Sequence, residues 1–141
     1  MDFTYPQNLS FGCNRCGLCC GDTKQKTRHI LLLDNEAQKI SSETSLVIPA
    51  FATKIPDQAP YSFEMKKTKD GKCLFLKDNQ CTIYSSRPLI CEFYPFELRF
   101  NECEKVHVFD FTLECPGISQ GQTWSQQEFK KLFQLALERM Q

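Results

Sequence analysis

The spacing of apolar residues changes several times along the chain. Phe129, Leu132, Phe133, Ala136, Leu137 and Met140 recur at helical intervals and predict an amphipathic C-terminal helix. Ser125-Gln-Gln-Glu128 precedes it in capping-box order, and we read the helix as cover for a core rather than a partner-binding face. Upstream the period shortens. Val106, Val108, Asp110 and Thr112 alternate with His107, Phe109, Phe111 and Leu113, so a strand over 105–113 leaves both faces partly apolar. It follows a strand over 96–100 through a turn at Asn101-Glu102. Arg28 to Leu33 reads as a short strand, with Asp34 as N-cap of a helix using Glu36, Ala37 and Ile40.

The middle of the chain gives further short elements. A strand over 62–69 meets the turn signal Asp70-Gly71, and Cys73 to Leu76 returns as its partner. A second turn over 77–80 leads into Cys81-Thr-Ile-Tyr84. Arg87-Pro88 then starts a short helix over 89–93 that stops before Pro95. Residues 41–60 hold Ser, Thr, Pro49, Pro56 and Pro60 and are expected to be irregular. Residues 1–12 form an irregular or extended approach, with Phe3, Tyr5 and Phe11 covering one side of a cysteine pocket. The expected architecture is α+β: one small domain over 1–141, with short antiparallel strands and few helices organised around cysteine-ligated metal.

Charge narrows the partners. With 17 basic and 17 acidic side chains, the chain has no general pull towards nucleic acid or an anionic membrane. Leu46 to Ala52 is interrupted by Pro49 and far too short to span a bilayer, and Met1 to Ser10 has no apolar run of the signal-peptide kind. The odd total of 9 cysteines, clustered in Cys-x-x-Cys pairs, favours reduced, metal-bound thiols in the cytoplasm over disulfides.

The densest chemistry lies in Cys13-Asn-Arg-Cys16-Gly-Leu-Cys19-Cys20. Thiolates are soft ligands, so this run points to zinc, iron–sulfur or another thiophilic metal. On a helical turn, Cys13, Cys16 and Cys20 fall near one line, with Cys19 slightly aside. Adjacent cysteines rarely share one tetrahedral ion, so a polynuclear cluster, or two sites sharing the segment, fits better than one lone zinc. Gly17 and Gly21 bracket the run and allow backbone amides to approach sulfur. A second set comprises Cys73, Cys81, Cys91, Cys103 and Cys115. Cys73 and Cys81 flank a turn and are expected to converge across a hairpin.

The string Cys13-x-x-Cys16-Gly-x-Cys19-Cys20, Cys73-Leu-Phe-Leu, Cys81-Thr-Ile-Tyr-x-x-Arg87-Pro-x-x-Cys91-x-Phe-Tyr-Pro-Phe and Cys115-Pro-Gly-Ile-x-x-Gly121 resembles the CxxCxxCC, or YkgJ-type, cysteine-cluster family. That family is described as a zinc- or iron-chelating domain, and flagellin lysine N-methylase is related to it. The resemblance spans residues 13–121 and implies ligands at Cys13, Cys16, Cys19, Cys20, Cys73, Cys81, Cys91 and Cys115. Cys103 has no counterpart there and lies between Glu102 and Glu104, whose charge disfavours thiolate. His29 and His107 are read first as strand-edge or surface residues. Arg87 is either a neighbour that neutralises a cluster or a structural residue satisfying carbonyls near Pro88. Tyr84, Phe93, Tyr94 and Phe96 are expected to shield the metal and fill the core.

No Gly-x-Gly-x-x-Gly, P-loop, Gly-x-Ser-x-Gly or Cys-x-x-x-Cys-x-x-Cys run occurs. The first expectation is therefore an iron–sulfur protein, with a 4Fe–4S cluster, working in electron transfer or assisting protein modification. A zinc-binding structural or interaction module is the alternative. Participation in a protein lysine N-methyltransferase is a third, implied by the resemblance alone. A protein partner is expected; a membrane or nucleic acid is not. Catalysis is left open.

Overall fold

The computed structural model describes residues 2–13, 20–23, 26–78 and 80–140. The fold is α+β, with short, mainly antiparallel strands and, among the described residues, four α-helices, the last of them near the C-terminus. The chain divides into two compact units, one drawn from residues 2–13 and 93–139, the other from 20–92.

The first unit is assembled from both ends of its chain. Strand β1 (Phe3–Thr4) runs parallel to β9 (Val106–Phe111), and β8 (Phe96–Asn101) pairs antiparallel on the other side of β9. A separate ribbon joins β2 (Ser10–Phe11) to β10 (Ile118–Thr123). Helix α4 (Gln126–Arg139) buries Phe129, Phe133 and Ala136. Its start is capped as the sequence predicts: Glu128 accepts the Ser125 amide at 2.6 Å, and the Gln127 amide donates to Ser125 Oγ. Phe3, Tyr5 and Phe11 join the aromatic core under this helix, and most of the cysteine run they were expected to cover lies outside the described residues. Phe3 stacks on Phe133, Tyr5 on Phe129, and Phe11 meets Phe96 and Trp124 edge-on.

The second unit is contiguous in sequence. Strand β3 (Leu31–Leu33) and β4 (Ala52–Lys54) flank β5 (Tyr61–Met65), both antiparallel to it. Helix α1 (Asp34–Thr44) follows β3 directly and sets Ala37 and Ile40 into the core with Ile30, Leu32 and Phe51. Each of the buried Ile, Leu and Phe side chains contributes about 1.5–3 kcal/mol. Asp34 is not the cap. The helix begins one residue earlier at Leu33, whose amide donates to the Glu36 carboxylate at 2.9 Å. The expected irregular stretch is also more ordered than its prolines suggest. Pro49 sits in the first turn of α2 (Ile48–Phe51), where a missing amide costs nothing, and Ala52 to Lys54 are held by β5.

A small hairpin, β6 (Leu76–Lys77) with β7 (Gln80–Cys81), leads to a 3-10 turn at Tyr84–Ser86 and helix α3 (Leu89–Phe93).

Candidate metal centre

The second unit brings Cys20 against Cys73. Gly21 bridges Lys72 antiparallel, the Asp22 amide donates to the Gly71 carbonyl at 2.8 Å, and the Cys73 amide donates to the Cys20 carbonyl. The approach excludes a side chain at Gly21, because a Cβ there would lie 2.7 Å from Gly71 O and 2.9 Å from Lys72 Cα. The Asp70-Gly71 turn forms as expected, with Gly71 at φ +75, a conformation suited to glycine.

An ion-pair clamp closes this segment. Asp22 Oδ1 accepts the Arg28 amide at 2.7 Å and the Lys67 ammonium at 2.7 Å. Lys67 also donates to the Arg28 carbonyl at 3.0 Å, while its backbone bridges Cys73. The Lys67 hydrogen bond, followed by the Arg28 amide, holds the Asp22 carboxyl below the usual carboxylate range. The clamp thus ties the residues leaving Cys20 to the strand opposite Cys73.

Around Cys73 the backbone wraps the sulfur. Its Sγ accepts the Phe75 amide at 3.5 Å, and its carbonyl accepts the Leu76 amide at 3.0 Å. An amide aimed at sulfur favours the charged thiolate that a metal requires. Cys81 lies opposite Leu76 across the hairpin, rather than opposite Cys73. Cys91 sits in α3, its amide donating to the Pro88 carbonyl at 3.0 Å. Cys73 belongs to the unit's buried apolar cluster, and Cys20, Cys81 and Cys91 pack against that same cluster.

Four of the eight sequence-predicted ligands therefore share one core. Cys13 and Cys115 belong to the other unit, and Cys16 and Cys19 lie outside the described residues, as does the helical alignment expected for 13–20. Cys13 is exposed and Cys115 buried; the Gly12 amide donates to the Gly117 carbonyl at 3.1 Å and so joins the loops that carry them. Among the described residues no disulfide forms, and no three His, Cys, Asp or Glu side chains meet at metal-binding distance. The donors nevertheless fit the family's metals in kind: four sulfurs lie on an apolar core, one of them already receiving an amide.

The remaining candidates are placed elsewhere. Cys103 is exposed in the β8–β9 turn, its amide donating to Asn101 Oδ1. His29 is an exposed partner of Glu64 at 2.8 Å, and His107 packs against Phe100 and Phe133. Arg87 takes the structural role: its Nε donates to the Tyr84 carbonyl at 3.1 Å, and its guanidinium lies 3.9 Å from the Tyr84 ring centroid. Phe93 and Phe96 are buried, whereas Tyr84 is exposed.

Sequence reasoning missed Asp22, Lys67 and Glu36 as organising residues. Glu36 is buried, and its charge helps burial push the Tyr61 hydroxyl up. Only the position of Asp22, two residues after Cys20, hinted at a role; the partners of Lys67, and Leu89 as a partner of Glu36, are remote in sequence.

A family model described as "CxxCxxCC: Putative zinc- or iron-chelating domain" matches residues 12–127. "Uncharacterized protein MJ0661" of Methanocaldococcus jannaschii is 28% identical over 138 residues, covering 95% of this chain and 72% of that protein. No solved structure matches. The chain belongs to the CxxCxxCC family, and zinc or iron chelation is the general function this membership supports.

Proposed function

We propose that this CxxCxxCC protein holds a metal centre on the thiolates of Cys20, Cys73, Cys81 and Cys91, with an iron–sulfur cluster of the 4Fe–4S class as the first assignment. The carrying observation is that these four cysteines pack on one apolar cluster. The second unit's own residues perform the supporting work. Phe75 donates its amide to the Cys73 sulfur and disperses negative charge there. Phe75, Ile83 and Ile90 lie in or against the cluster and keep water from the sulfurs. Asp22 and Lys67 fix the backbone between Cys20 and Cys73.

The abundance of thiols and the adjacent pair Cys19-Cys20, which rarely serves one tetrahedral ion, favour the iron–sulfur assignment, with Cys13, Cys16, Cys19 and Cys115 as the remaining candidates. Zinc is the second reading, favoured by the count of four cysteines on the cluster, which suits a closed structural site. When bound, an iron–sulfur centre would supply one-electron transfer, and zinc would supply a cross-link that stabilises the unit. Both need reduced thiols, which suits a cytoplasmic protein acting with a protein partner.

Anaerobic purification with assay of iron, zinc and acid-labile sulfide, beside a visible spectrum, tests the reading. Iron with matching sulfide, lost in Cys73→Ser, supports the cluster. Zinc without sulfide replaces it with the structural site. A folded protein with neither metal overturns both.

A further inference from the structure

We infer that Glu36 is a positioning residue for this centre and acts through Cys91. The carboxylate is buried, with the residue only 7% exposed, and its two oxygens serve two different helices. Oε1 accepts the Leu33 amide at 2.9 Å at the start of α1, and Oε2 accepts the Leu89 amide at 2.5 Å at the start of α3. Cys91 lies two residues beyond Leu89 on that single short turn of helix.

A five-residue helix is too short to hold its own direction in water, so its orientation comes from what grips its ends. Here the grip is α1. Glu36 takes the first amide of α3, and Glu43, two turns further along α1, takes the Ser86 hydroxyl just upstream. Next to Glu36, Ala37 and Ile40 enter the same cluster as Cys73, against which Ile90 and Cys91 pack. A single rigid helix thus sets the direction of α3 relative to the core that carries the other thiols. The Leu33 and Leu89 amides both donate to the carboxylate, one to each oxygen, so an amide side chain cannot satisfy both: its NH2 would oppose one of them.

The experiment uses the full chain carrying Glu36→Gln, with Ile40→Val as a control that loosens the same core and leaves the Glu36–Leu89 hydrogen bond in place. In metal-free protein, alkylation by iodoacetamide is followed at Cys91 and at exposed Cys103. In parallel, zinc affinity is measured by competition with a chelator, at temperatures equally far below each variant's Tm. Glu36→Gln is expected to raise Cys91 alkylation severalfold relative to Cys103 and to lower zinc affinity about 10-fold or more. Ile40→Val is expected to change neither. If Glu36→Gln does not fold, Glu36→Asp, which keeps the charge but reaches only one amide, is read in the same two assays. Unchanged Cys91 alkylation, or an equal change in Ile40→Val, overturns the inference. The affinity arm rests on the proposed function, whereas the alkylation arm does not. Altered alkylation in a protein whose wild type binds no zinc or iron would sustain the role of Glu36 and refute the metal centre.

Discussion

The two units fill their interiors with different materials. In the unit built from 2–13 and 93–139, rings pack on rings. Phe129 contacts Tyr5, Phe96, Phe109 and Trp124, and Phe133 contacts Phe3 and His107. Such pairs contribute about 0.5–1.5 kcal/mol beyond the area they bury. In the contiguous unit, a mixed cluster of Ile30, Leu32, Ile40, Ile83, Phe51 and Phe75 carries four cysteines on or in it. Aromatic packing needs nothing from outside the chain. Thiols on a core are weak packing groups until a metal joins them, so the centre proposed above would stabilise the second unit more than the first.

Metal removal should separate the units most sharply. A chelator under reducing conditions should speed hydrogen exchange at the amides of Leu31–Leu33 and Tyr61–Met65 about 100-fold or more, while the unit stays folded. Emission from Trp124, the sole tryptophan, should stay unchanged, because its ring packs on Phe96 and Phe129. Simultaneous loss of both signals would erase the distinction. The converse perturbation is Phe129→Ala, expected to cost about 3–5 kcal/mol and quench the Trp124 environment, with metal per folded chain unchanged by elemental analysis.

Smaller changes sharpen the contrast. Asp22→Asn removes the charge that holds Lys67 but keeps an acceptor for the Arg28 amide, so a few-fold loss of metal affinity should follow with little change in Tm. Cys103→Ser should alter neither metal content nor stability, since this cysteine lies in an exposed turn. The last effect is one of pH. The Ser125 hydroxyl and amide hold the Glu128 carboxyl below its ordinary value near 4.5. Its contribution to α4 is therefore complete above that value and is lost as pH falls through the lowered one. Acid titration of helix content in Ser125→Ala should lack this limb.

What the sequence revealed was local. Ser125 and Glu128 lie three residues apart and form their cap; Asp70-Gly71 turns where a glycine conformation is needed; Leu89–Phe93 is helical between two prolines. What it hid depends on distant partners. Ile118–Thr123, rich in Gln and Gly, has no apolar alternation, and it becomes a strand because it pairs with Ser10–Phe11. The prolines of 41–60 masked α2 and β4, whose order comes from the buried Phe51 and from pairing with β5. The eight candidate ligands were visible from residue type and spacing, but the sharing of one core by Cys20, Cys73, Cys81 and Cys91 was not. That grouping arises from Gly21, Asp22 and Lys67 folding one segment onto another.

The sequence layout of the units also bears on their synthesis. Residues 20–92 leave the ribosome as one uninterrupted block, and every strand partner in that block is already present when Cys91 emerges. The other unit must wait: β1 and β2 find their partners only after β9 and β10 have been made, and the rings of Phe129 and Phe133 come later still. Chain growth at about 5–20 residues per second gives the earlier block seconds alone. On the proposed assignment, the thiols of Cys20, Cys73, Cys81 and Cys91 are thus available for loading while the aromatic core is still incomplete.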